Sequence, residues 1–127
     1  MDNYRFLAYA GQLDPIFSAA RIEEYYRSVE WSRADQFRHG RRLPFYAGPQ
    51  EEGLSGYVTS AGDFSFVVVT RAGHYPGFDQ PRAVDEVGKR MLTSRDQRIH
   101  TPSWPRQRVL SCLSRVAILV VGFPDTF

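Results

Sequence analysis

With 127 residues, the chain has the length of one domain or a piece of one. An apolar fraction of 43% with 14% aromatic residues supplies a packed core and excludes global disorder. The formal charge of +2, with Lys89 the only lysine, is too small for a clustered basic face and speaks against a nucleic-acid binder.

Tyr4 to Ala10, "YRFLAYA", reads as a short buried strand bounded by Gly11, and "GQLDP" as the turn at its carboxyl end. Ser18 to Val29 places Ala19, Ile22, Tyr26 and Val29 at helical spacing, with Ser18 as N-cap. Trp31 to Gly40 adds one more helical turn, which Gly40 stops. Arg41 to Gly48 and Leu54 to Ser60 read as a hairpin joined by the polar loop "PQEE", with Pro44 requiring an edge position. Ala61 to Asp63 is a turn. Phe64 to Thr70, "FSFVVVT", is β-branched, aromatic and nearly continuous, as a strand buried on both faces demands. After a Pro/Gly-rich bend, Pro81 to Leu92 predicts an amphipathic helix with Pro81 in its first turn. Ala83, Val87 and Met91 share its apolar face, with Val84 beside them. Beyond Leu92 the Arg, Pro and Ser are scattered, an apolar run follows, and no periodicity defines a fold. No internal repeat or low-complexity tract is visible.

The order strand, helix, hairpin, strand, helix predicts an α/β fold with parallel strands. Sites in open sheets of this kind form beyond the carboxyl ends of the strands. Two such ends carry an ionisable residue: Asp14 after the first strand and His74 after the second. If these strands are parallel neighbours, the two residues meet at one edge of the sheet. Taken singly, Asp14 before Pro15 is a turn-forming residue, and His74 is a structural or exposed loop histidine. Taken together, they have the chain order of the acid and base of an α/β-hydrolase triad. There an imidazole takes the nucleophile's proton while a carboxylate holds its tautomer and stabilises the imidazolium.

Three stretches resemble the C-terminal part of the serine carboxypeptidases, especially the vitellogenic-like branch. The first is "YAGQLD", Tyr9 to Asp14. The second is "VEWSRADQF" together with "SGYVTSAGDFSFVVV". The third is "RAGHYPGFDQPRAVDEVGKRML", Arg71 to Leu92. The resemblance runs from about Tyr4 to Leu92. It implies the C-terminal part of an α/β-hydrolase sheet, an incomplete domain over residues 1–92, and a tail of unknown structure over residues 93–127. It implies that Asp14 is the triad acid and His74 the triad base. Asp79, Gln80 and Pro81 match the motif that secures the loop and starts the last helix. Tyr75 stands where the family usually has Met, beside the leaving-group side of the substrate site. The family's proline in this loop falls one place later than Pro76, at the position of Gly77.

What the resemblance implies for function is serine-type carboxypeptidase chemistry, the release of C-terminal residues from peptides by acyl transfer. Its nucleophile lies in a Gly-x-Ser-x-Gly elbow ahead of the acid, and this sequence has none; "GLSGY" around Ser55 has the wrong spacing. The oxyanion donors and the acids that bind the substrate carboxylate also belong to the family's preceding sequence. The expectation is therefore a fragment bearing Asp14 and His74, inactive by itself and acting on a peptide substrate only if the rest of the domain is supplied. The alternative is a catalytically inactive hydrolase-like remnant, either a binding module or a segment not stably folded alone. The family works in secretory, lysosomal or vacuolar compartments.

Other features carry less. No signal peptide is read in "MDNYRFLAYAG", which has an early acid and no adequate apolar stretch. Val116 to Phe123, the longest apolar run, is too short to cross a bilayer, so no membrane association is predicted. Cys112 has no partner for an internal disulfide and no cysteine-protease signature. Asn3 is the only asparagine and begins no glycosylation site. His39, His74 and His100 lack metal-ligand spacing, and no cofactor is expected. "RHGRR", Arg38 to Arg42, reads as a solvated charged turn. Oligomeric state is not encoded legibly.

Overall fold

The computed structural model describes residues 5–48, 53–93 and 116–120. The loop 49–52, the side chain of Met91, His100 and Cys112 lie outside the described residues. In chain order the elements are β1 (Arg5–Gly11), α1 (Ala19–Ser28), α2 (Ala34–Arg38), β2 (Leu43–Phe45), β3 (Gly56–Ala61), β4 (Phe64–Val69), α3 (Pro76–Asp79), α4 (Pro81–Thr93) and β5 (Val116–Val120).

The strands form one sheet in the order β2-β3-β4-β1-β5. β1 runs parallel to β4, from Phe6 opposite Phe64 to Gly11 opposite Val69. It is also parallel to β5, whereas β2–β3 and β3–β4 pair antiparallel. The sheet is therefore mixed: the parallel core strands and the hairpin share it, and β3 also pairs antiparallel with β4. The reason is local. Gly62 and Asp63 are all that separates β3 from β4, and Gly62 adopts φ +54°. A connection that short closes only an antiparallel pair, because a parallel crossover needs a dozen residues or more. Between β1 and β4 the chain does have that length, and α1 and α2 fill it. Pro44 sits on β2, at the sheet's edge, where its missing N–H costs no ladder bond.

Period-two alternation divides the core between the sheet's faces. Leu7, Tyr9, Val67 and Val69 face Ala83 and Val87 of α4. Ala8, Ala10, Phe64, Phe66 and Val68 face Ala19 and Tyr26 of α1 and Phe37 of α2. The result is a layered α/β architecture, with β4 buried almost throughout. Phe64 is fully buried, and the rings of Phe6, Tyr26, Trp31 and Phe37 lie 4.9–5.7 Å from it. Tyr25 turns outward.

Polar anchors supplement the packing. Glu23 is buried on α1, and its carboxylate pairs with Arg27 at 2.8 Å and with Arg42. Arg90 ties α4 to the hairpin: its guanidinium lies 4.8 Å from the Phe45 ring centroid and donates to the Tyr46 carbonyl at 2.8 Å. From the tail with no readable periodicity, the structure places Val116–Val120 beside β1.

Candidate active site

β1 and β4 end side by side, so the loops leaving them share one end of the sheet. Gly11 lets the two loops approach. A Cβ there would stand 2.0 Å from the Gly73 carbonyl oxygen and 2.5 Å from that of Ala72, distances no side chain can occupy. The Gln12 amide donates to the Val69 carbonyl at 2.9 Å, and the Leu13 amide to the Ala72 carbonyl at 2.8 Å. Asp14 is thereby delivered against the start of the His74 loop.

The β4 exit is redirected by Arg71, whose φ of +56° is left-handed and uncommon for a residue with a side chain. Asp79 then braces the loop from the far side: its carboxylate accepts the Gly73 amide at 2.7 Å, one residue before the histidine. Gln80 reaches back to the Arg71 carbonyl at 3.4 Å. Pro76 opens the four-residue helix α3, where its fixed φ suits the first helical position. The proline shift relative to the family pattern thus falls where a short helix starts. Sequence reading shows only a Pro/Gly-rich bend there.

His74 Nδ1 lies 2.9 Å from Asp14 Oδ2. With a carboxylate as its partner, Nδ1 carries the proton and Nε2 keeps the lone pair of the neutral ring. The Asp14 side chain is 1% exposed and the imidazole 17%. Asp14 Oδ1 accepts the backbone amides of Ile16 at 2.8 Å and Phe17 at 3.0 Å. One carboxylate oxygen of Asp14 therefore closes the turn while the other contacts the imidazole. Burial pushes the Asp14 carboxyl up, but the hydrogen bonds from His74, Phe17 and Ile16 outweigh it and hold the group below its ordinary range.

Two aromatic rings flank the imidazole. Phe17 stacks on it at 5.5 Å with 19° between the planes, and Tyr75 stands edge-on at 4.9 Å and 79°. Leu13, Ile16, Phe17, Tyr75 and Phe78 expose apolar surface in the same two loops. Asp14, His74 and Tyr75 are thus together. Sequence reading did not single out Phe17 or the Gly11–Gly73 approach as parts of this site. "GQLD" hints at the latter through its glycine, whereas an aromatic residue three places after an aspartate carries no recognisable signal. Ser55 serves the hairpin: its hydroxyl accepts the Ala47 amide at 3.0 Å and its own amide donates to the Phe45 carbonyl at 2.9 Å. His39 lies on α2's C-terminal cap, with Nδ1 2.9 Å from the Asp35 carbonyl oxygen. Among the described residues no group of three or more His, Cys, Asp or Glu could hold a metal ion.

The mixed sheet with helices packed on it is an α/β fold, and the His74–Asp14 pair lies beyond the ends of its parallel strands. Residues 1–94 match the family described as serine carboxypeptidase, and the chain belongs to that family. It is 32% identical over 90 residues to the human probable serine carboxypeptidase CPVL, covering 70% of this chain and 19% of that protein. The venom serine carboxypeptidase of Apis mellifera is 32% identical over 80 residues, or 63% of this chain and 16% of the relative. Serine carboxypeptidase-like 48 of Arabidopsis thaliana is 32% identical over 82 residues, with 65% and 16% covered. The chain spans about a fifth of the length of the curated relatives it matches.

Proposed function

We propose that His74 is the general base, then the general acid, of serine carboxypeptidase acyl transfer, with Asp14 as its orienting carboxylate. The observation that carries this reading is the 2.9 Å contact between His74 Nδ1 and a nearly inaccessible Asp14 carboxylate, beyond the ends of two parallel strands. No Gly-x-Ser-x-Gly elbow occurs in the sequence, so the serine comes from family sequence outside these residues. Nε2 of His74 takes the serine proton as Oγ bonds to the scissile carbonyl carbon. The tetrahedral intermediate then expels the C-terminal amino acid, whose nitrogen receives that proton as the C–N bond breaks. Water repeats the sequence on the acyl-enzyme: it loses a proton to Nε2, the acyl C–O bond breaks, and the serine is reprotonated. A shortened peptide with a new carboxylate leaves. Asp14 stays ionised throughout and stabilises the imidazolium. Tyr75, beside the ring, contacts the leaving residue.

The test joins this chain to the nucleophile-bearing part of a serine carboxypeptidase domain and follows hydrolysis of an N-terminally blocked dipeptide. Turnover should require His74, and Asp14→Asn should lower kcat by roughly four orders of magnitude with little change in KM. Equal rates for Asp14→Asn and the unaltered chain would sink the assignment. A non-catalytic module is the second reading, favoured by the exposed Leu13, Ile16, Tyr75 and Phe78 around a dyad whose own sequence has no Gly-x-Ser-x-Gly elbow. Under it, the joined protein binds without turning over.

A further inference from the structure

His74 Nδ1 lies 2.9 Å from Asp14 Oδ2, a contact at one edge of the ring. Nε2, on the other edge, keeps its direction only while the broad terminal side-chain torsion is restrained. A neighbour packed on the face of the ring supplies such a restraint on its plane. Phe17 lies parallel to it, 5.5 Å between centroids with a 19° tilt, an offset-stacked geometry that restrains the face of the ring. Its backbone amide donates to Asp14 Oδ1 at 3.0 Å. One residue therefore touches both members of the pair, the acid through its main chain and the base through its side chain.

The core does not explain that placement. Phe17 belongs to neither of the two buried clusters, and it is 37% exposed. The Asp14 turn sets it: Oδ1 draws in the Ile16 and Phe17 amides just before α1 begins, and the Phe17 ring falls over the loop from β4. Resting on the reading of His74 as the base, we propose that Phe17 is a positioning residue that holds the imidazole plane, so that Nε2 stays directed at the nucleophile. Tyr75, edge-on at 4.9 Å, closes the bracket from another side.

The experiment uses the full chain with ¹⁵N-labelled histidine and reads the His74 Nδ1–H resonance, its exchange with solvent, and the shifts of the ring's carbon-bound protons. Phe17→Ala and Phe17→Leu should both speed exchange by about three- to tenfold, the scale of one aromatic contact. Both should also remove the upfield ring-current shift, and Phe17→Tyr should restore both signatures. Leu is the decisive variant, because it keeps apolar bulk without a stacking face; a Leu variant with native exchange would overturn the proposal. If Asp14→Asn abolishes the resonance while Phe17→Ala leaves it unchanged, Phe17 is refuted and the dyad stands. If the unaltered chain shows no such resonance, the dyad fails and the inference with it.

Discussion

Replacing Asp14 tests the site and the fold together, and two substitutions separate them. The carboxylate accepts three hydrogen bonds, from the Ile16 amide, the Phe17 amide and His74 Nδ1. Hydrogen bonds to a charged group contribute about 1.5–3 kcal/mol each. Asp14→Ala removes all three, but Ile16 and Phe17 are exposed enough for water to replace part of what their amides lose. The imidazole is left without its partner at a site with little water. An expected loss of about 3–5 kcal/mol follows, below the sum of three charged hydrogen bonds because water compensates part of it. That is a large fraction of the roughly 5–15 kcal/mol by which domains are stable. Asp14→Asn should cost only about 1.5–3 kcal/mol, since its amide oxygen still serves the turn and only the bond to Nδ1–H is lost. Urea unfolding followed by circular dichroism measures both. The pH dependence has a definite sign. The folded Asp14 pKa lies below its ordinary value, so its stabilisation is complete above that ordinary value, about 3.9, and is lost as pH falls through the folded one. The Asp14 contribution should therefore hold through neutral and mildly acidic pH and decline only below about pH 4. An Ala variant within about 0.5 kcal/mol of the unaltered chain would refute the reasoning, because that is the scale of an inert surface change.

Gly11→Ala should cost about 1–3 kcal/mol or more and displace the His74 loop, since the new methyl would meet the Gly73 carbonyl oxygen at 2.0 Å. Amide spectra would show the largest shifts at residues 72–74, and an unchanged loop would contradict the close approach. Phe64→Ala should cost about 3–5 kcal/mol, because Phe64 is fully buried among Phe6, Tyr26, Trp31 and Phe37. Chemical denaturation measures it, and a loss below about 1 kcal/mol would deny the ring its central place in the core.

Local patterns made a good part of this molecule legible from its residues alone. "FSFVVVT" could only be a strand buried on both faces, the spacing of Ala83 and Val87 describes the buried stripe of α4, and Pro44 demands an edge. These are properties of neighbouring residues, so chain order carries them. The chain order of Asp14 and His74, each after a strand, likewise permits their meeting once the strands are taken as parallel neighbours. Distance in space was not written there. Sequence order does not say that β4, beyond its short turn to β3, has β1 as its parallel neighbour, nor that Val116–Val120 joins β1 from a stretch without periodicity. It does not say that Glu23 on α1 is buried between Arg27 and Arg42. Nor does it say that one oxygen of Asp14 closes a turn while the other holds His74, or that Phe17 covers the imidazole. Each of those depends on contacts between residues far apart in the chain, or on the direction a turn gives to one side chain. Only the assembled sheet, with two loops drawn together over Gly11, decided them.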